Sequence, residues 1–411
     1  MSTGPARLML LPVGVGMAAA VLQMAGALKT ATPLAALPVD LTLVSLGLLL
    51  PLLALLATTR HWEVRPALAV PMAAAALLWF WLVIAGTWSA SGQVLAEKLP
   101  EVALLAPLML VAGLVAGAEP DARRALIGTT IAIGLALAAS IVWQVASGQT
   151  PVPVMGGDQA RLQYQLAGLA MAAAGALAAV RLAEARSLAA RLAWALAIIA
   201  LAAAALLPGG RTALVALLLG VALAPALRLR LLGGAAWALA VLLAGLGGAL
   251  WLALHPEQVE GLRTLERLAG DTAGLEARRG LWGAALDWAG ESGPLGLGTG
   301  GFTIAAGHGE RRGLYPHNHA LEALAEAGLP GLLLWLLAFG GAALVLLRPG
   351  LAGSARQARI AAMVLPVALT IMVSTDLGNR MAWFALGLAL SLGVTARPSV
   401  RATEAGRACH V

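Results

Sequence analysis

The chain has 411 residues, of which 60% are hydrophobic and only 11% charged, with a mean hydropathy of +0.86. Globular chains carry about 25% charged residues, so this composition excludes a soluble fold, disorder and a coiled coil. A disulfide scaffold is excluded too, because Cys409 is the single cysteine and has no internal partner. What remains is one polytopic membrane domain over residues 1–411, of the all-α integral membrane class.

The formal net charge is +7, and every basic residue except Lys29 and Lys98 is arginine. In a soluble protein that balance suggests nucleic acid; in a membrane chain it reads as loop charge that fixes topology.

A membrane helix needs roughly 20 apolar residues. Twelve stretches qualify: 8–28, 38–58, 66–86, 100–118, 125–147, 163–182, 190–207, 212–227, 231–254, 329–347, 360–375 and 380–396. The first is too long for the apolar region of a signal peptide and is expected as a retained helix. Breaks fall at turn chemistry such as Glu119-Pro120-Asp121, Pro151-Val152-Pro153 and Pro208-Gly209-Gly210. With both ends cytoplasmic, inner segments hold 16 basic residues and short outer segments hold five: Lys29, Lys98, Arg161, Arg211 and Arg380. That bias predicts a multi-pass protein with both termini inside.

One long segment, 255–318, interrupts the pattern between the ninth and tenth spans and falls on the outer side. Within it, residues 276–290 read as an amphipathic helix with Leu281, Trp282, Ala285, Leu286 and Ala289 on one face. Such a helix either lies on the membrane surface or caps the bundle. The glycine-rich run Gly293 to Gly301 follows as a tight loop.

Several outer polar residues need more than topology. Arg211 opens the eighth span after Pro208-Gly209-Gly210, on the side where positive charge is disfavoured. It either snorkels to the interface or binds an anion, for which a guanidinium fork and helix N–H groups are suited. Arg278 stands one turn before Trp282 on the apolar edge of the loop helix, and Arg279 fits the solvated face. Arg161 precedes the sixth span. Outer arginines at membrane level suit a lipid-linked diphosphate or, more blandly, phospholipid headgroups.

The run Tyr315-Pro316-His317-Asn318-His319 offers a base that titrates near neutrality. The histidines also read as interfacial residues, Asn318 as a helix cap, and His308 with His317 and His319 as a weak zinc set. Asp376 reads as an ion-pair partner of Arg380. No phosphate-binding or dinucleotide-binding loop is present, and no series of intramembrane carboxylates stands out.

His317-Asn318, nine residues, Gly328, two residues, Gly331 resembles the histidine motif of O-antigen ligases. Gly210-Arg211-Thr212-Ala213-Leu214 resembles their first arginine site. Arg278 with Trp282, then Pro294-Leu295-Gly296-Leu297-Gly298, resembles the second. The motif usually ends on Gly, Thr or Tyr, where this chain has Leu334.

The resemblance implies a bacterial inner-membrane glycosyltransferase with a periplasmic active site. It would transfer O-antigen polysaccharide from undecaprenyl pyrophosphate to the lipid A-core oligosaccharide in lipopolysaccharide biosynthesis. No cofactor, metal or nucleotide is implied, and the partners are the lipid-linked donor, the lipid A-core acceptor and membrane lipids. By position, His317 would be the base, and Arg211 and Arg278 would bind the diphosphate. Arg161, Arg279, Asn318 and His319 would be neighbouring substrate-binding residues.

Relatives with the same layout, O-antigen polymerases and protein O-oligosaccharyltransferases, use the same donor and remain alternatives. A transporter for lipid-linked oligosaccharide is the rival from another class. It predicts discontinuous helices and charged residues inside the membrane.

Overall fold

The computed structural model describes residues 5–31, 34, 38–148, 158–258, 261–270, 273–348 and 354–398. Within lipid every backbone N–H and C=O needs an internal partner, and this chain meets that demand with helices. The membrane helices are α1 (Pro5–Leu28), α2 (Leu41–Thr59), α3 (Ala69–Ala85), α4 (Gln93–Ala118), α5 (Pro120–Ala146), α6 (Asp158–Glu184), α7 (Leu188–Ala205), α8 (Arg211–Ala226) and α9 (Leu231–Leu254). Two loop helices follow, α10 (Arg263–Gly270) and α11 (Ala273–Glu291), and then α12 (His319–Leu347), α13 (Ser354–Val373) and α14 (Arg380–Ser391).

Ten helices among the described residues are long and apolar enough to cross a membrane, and α8 and α14 are shorter apolar helices. The protein is an all-α integral membrane protein with the twelve helices expected from hydropathy. Two starts move. Helix α4 begins at Gln93 rather than 100, and α12 at His319 rather than 329. Both extra lengths carry polar residues that lower the hydropathy, and of these Lys98, Glu322 and Glu326 are paired inside the protein. The Asn318 side chain caps α12 by accepting from Leu321 N at 3.1 Å.

Small residues set the packing. A Cβ on Gly113 would fall 2.2 Å from the Phe384 carbonyl, and one on Gly387 would fall 2.1 Å from that of Leu110. Helices α4 and α14 therefore meet backbone to backbone. At the end of the bundle away from His317, Arg60–Val64 pairs antiparallel with Val394–Pro398. There Arg356, expected as a topology charge, donates to the carbonyls of Gly117, Ser391 and Val394 and fastens these segments together.

Helix α12 is broken. Gly328 has φ +67° and ψ −163°, a conformation open to glycine alone. The glycine-rich loop fills the break: Leu297 N donates to Ala325 O at 2.9 Å, Gly298 N to Glu326 O at 2.8 Å, and Leu329 N to Pro294 O at 3.0 Å. The Trp81 indole takes the Ala327 carbonyl at 2.8 Å. A Cβ on Gly328 would sit 2.1 Å from Pro294 O. These contacts give the glycines of the sequence motif a physical reason.

Segment 255–318 folds back over the bundle. On α11, Leu281 and Ala285 are buried with Phe302 and Ala325, so the helix caps α12. Leu286, expected on the same face, is 55% exposed. The face is narrower than the sequence suggests because α12 covers only one stripe of it.

Candidate active site

Asn318 and Pro316 bracket the central residue. His317 has φ +54° and is the one non-glycine residue with positive φ among the described residues. Such a backbone costs about 1–3 kcal/mol and persists only where its surroundings over-determine it. Those surroundings are visible. The indole N–H of Trp282 donates to Pro316 O at 2.8 Å. The Tyr315 ring lies 4.1 Å from the His317 ring, centroid to centroid. The Tyr315 hydroxyl donates to Ser374 O at 2.8 Å, and Asn318 Nδ2 donates to Met372 O at 3.0 Å. Three elements, α11, α12 and the end of α13, thus hold the His317 turn.

Arg278 belongs to the same group. It stands one turn before Trp282 on α11 and is half-buried, whereas Arg279 is exposed. Its charge acts on the Tyr315 phenol. Burial pushes that phenol well above its ordinary pKa, and the Asp376 and Glu322 carboxylates add to the shift. Arg312 and Arg278 oppose them. Tyr315 is therefore a neutral hydrogen-bond donor beside His317.

Arg211 is the first residue of α8 and donates to Arg267 O at 3.1 Å. Arg267 returns a bond to Gly209 O at 3.1 Å, and Thr264 Oγ1 receives Gly209 N at 3.0 Å. The Pro208-Gly209-Gly210 corner is thus clasped by α10. Its level in the bundle can be traced through neighbours. A Cβ on Gly168 would fall 2.4 Å from the Ala213 Cβ, and Gln165, one turn earlier, accepts from Ser374 Oγ at 3.3 Å. Ser374 also receives Tyr315. Arg211 and His317 therefore lie at the same end of the bundle.

The remaining expected residues divide. The Arg161 side chain lies outside the described residues. Both ends of the Asn318 amide are committed to the fold. His319 is fully buried, its Nε2 is 3.1 Å from Thr375 Oγ1, and it packs edge-on against Phe339. His317 is thus half-exposed at the turn, whereas His319 is buried. Among the described residues no group of three His, Cys, Asp or Glu side chains is arranged to hold a metal ion.

Sequence reasoning missed the charges beneath the site. Lys98, counted as a topology charge, is buried and ion-paired with Glu322 and, at 2.6 Å, with Glu326. Glu326 also accepts Gly300 N at 2.8 Å, and Glu322 accepts Leu377 N at 2.9 Å. Asp376 pairs with Arg312 at 3.2 Å rather than with Arg380, which instead donates to Thr42 Oγ1. Arg312 also pairs with Glu101, and the two carboxylates outweigh burial to hold its pKa above the ordinary value.

The signal was present: His319, Glu322 and Glu326 stand at i, i+3 and i+7 on one face of an otherwise apolar helix. Broken α12 and these buried charges are the two marks expected of a transporter. Here the break is filled by residues 294–298 and the charges are paired across α4 and α12.

The O-antigen ligase family model matches residues 195–336. The match runs from α7 into α12 and contains Arg211, Arg278, Trp282, His317, Gly328 and Gly331, so over these residues the chain is similar to O-antigen ligases. No curated protein matches the chain.

Proposed function

We propose, from a multi-pass membrane chain with an O-antigen ligase-type match over the site helices, that this protein is the glycosyltransferase that attaches O-antigen polysaccharide to the lipid A-core. The donor is the undecaprenyl pyrophosphate-linked polysaccharide, and transfer occurs at the periplasmic face of the inner membrane. The observation that carries the reading is the His317 turn: a strained backbone at the mouth of the bundle, fixed by Trp282 and Tyr315, with Arg278 on the adjoining helix turn.

In this reading neutral His317 accepts the proton of an acceptor sugar hydroxyl. That oxygen bonds to the anomeric carbon of the donor sugar as the bond from that carbon to the diphosphate oxygen breaks. The lipid diphosphate leaves as an anion, and Arg278 and Arg211 balance the charge that develops on it. The proton remains on His317 until water removes it. The donor already carries a good leaving group, so orientation, a base and cationic donors are sufficient.

The test is reconstitution of purified protein with lipid-linked polysaccharide and lipid A-core. Appearance of polysaccharide on the core supports the reading. Longer donor chains with the core untouched support an O-antigen polymerase, and transfer to a protein acceptor supports an oligosaccharyltransferase. Leu334, where the histidine motif departs from its usual residues, is what keeps those two readings in the test.

A further inference from the structure

A second polar site lies at the other end of the bundle. Helices α6 and α8 begin near the His317 end and finish at Glu184 and Ala226, while α13 reaches that end by Met372 and starts near Arg359. There a cleft of about 600 Å³ opens among α5, α6, α7, α8 and α13. Its floor is one carboxylate ringed by guanidiniums. Glu184 pairs with Arg228 at 2.7 Å, with Arg359 through two bonds of 2.9 and 2.8 Å, and with Arg181 at 3.3 Å. Arg186 lines the cleft as a fourth arginine, and among the described residues Glu184 is the one acidic residue in its wall. Four positive charges therefore face one negative charge.

The rest of the wall is largely apolar. Ile131 of α5 and Ala190 and Trp194 of α7 line it. Along the same helices Leu135, Leu192, Leu196 and Ile199 are exposed, as faces that meet acyl chains are. Trp194, which lines the cleft, is half-buried, and Trp is favoured at membrane–water interfaces. A topology role explains arginines scattered on loops. It does not explain four of them converging from four helix ends on one roomy cleft.

We propose that this cleft binds the phosphate headgroup of an anionic membrane lipid, with the phosphate on Arg181, Arg186 and Arg228 and an acyl chain along the α5–α7 wall. Arg359 stays bidentate on Glu184 and orients the floor. The bound lipid fastens five helix ends together, away from the transfer site.

The experiment is native mass spectrometry of the full chain released from nanodiscs of phosphatidylcholine containing phosphatidylglycerol or cardiolipin, with thermal unfolding measured in parallel. The wild type should retain anionic lipid and unfold at higher temperature in its presence. Arg186→Gln, at an exposed position, and Arg181→Gln should each lower retention about tenfold, the loss expected for one charge-assisted hydrogen bond. Arg124→Gln, an exposed arginine at the same end, should change nothing. Should Arg181→Gln misfold, Arg186→Gln alone decides. Equal retention by Arg186→Gln and wild type, or equal loss in Arg124→Gln, overturns the proposal. Excess inorganic phosphate should displace little lipid; full displacement by it identifies a soluble phosphate site and overturns the lipid assignment.

Discussion

The indole N–H of Trp282 reaches 2.8 Å to the carbonyl of Pro316, and this single bond ties the amphipathic loop helix to the turn that presents His317. It places Arg278 and His317 in one rigid group, because Arg278 is one turn from Trp282 and His317 follows Pro316 directly. Trp282→Phe keeps the ring and removes the donor. We expect transfer to fall about tenfold to a hundredfold, as small misplacements of a reacting group do. Donor binding should remain, since both arginines are intact. Rates and donor affinities of the two proteins, measured together, check this.

Arg211 and Arg278 are proposed to grip the diphosphate through paired N–H donors, a geometry lysine does not reproduce. Arg211→Lys and Arg278→Lys should each lose most transfer while still inserting and folding. Arg124→Lys, 71% exposed at the far end, should be silent. Equal activity in all three variants would remove the diphosphate site from the account.

Gly328 carries the break in α12. Adding a Cβ there meets Pro294 O at 2.1 Å and forces φ +67° on an alanine. Gly328→Ala should therefore expel the 294–298 loop and leave the carbonyls of Ala325 and Glu326 without their donors. Several kcal/mol of destabilisation is expected from unsatisfied buried carbonyls, at about 1–3 kcal/mol each. Thermal unfolding in detergent reads it directly.

Glu310 anchors the far side of the loop. The Ser91 hydroxyl and then Val94 N hold its carboxyl down to about 2, with Gly92 N adding a further bond. Its folded pKa lies below the ordinary value of 4.5, so the anchor contributes in full above that value. The contribution disappears as pH falls through about 2. Exchange protection of the Gly92 and Val94 amides, corrected for intrinsic rate, should be the same at mildly acidic and neutral pH. It should be lost toward pH 2 and be weak at every pH in Glu310→Gln.

Hydropathy made the twelve helices legible because lipid leaves the backbone so few options. Asn318, expected as a cap, is one, because a side-chain oxygen before a helix has an N–H waiting for it. Lys98 was misread because a charge near a span end looks like a topology charge until its partners are known. Those partners, Glu322 and Glu326, lie more than 200 residues away in sequence. Their polarity also hid the first turns of α12 from a hydropathy window. The pairing of Asp376 with Arg312 instead of Arg380 has the same cause: sequence distance said nothing about which loop folds back. The strained φ of His317 is invisible in sequence, because it is imposed by Trp282 and Tyr315 rather than by local preference.

The central claim is that His317 takes the acceptor proton while the arginines hold the diphosphate. It is tested most directly by measuring lipid-linked donor binding and sugar transfer side by side on His317→Ala and His319→Ala. The account predicts that His317→Ala binds donor normally and transfers about a hundredfold to ten-thousandfold more slowly, the usual cost of a lost general base. His319→Ala, a packing change inside α12, should mainly lower stability. Normal transfer by His317→Ala, or a folded His319→Ala that binds donor and transfers nothing, would contradict it.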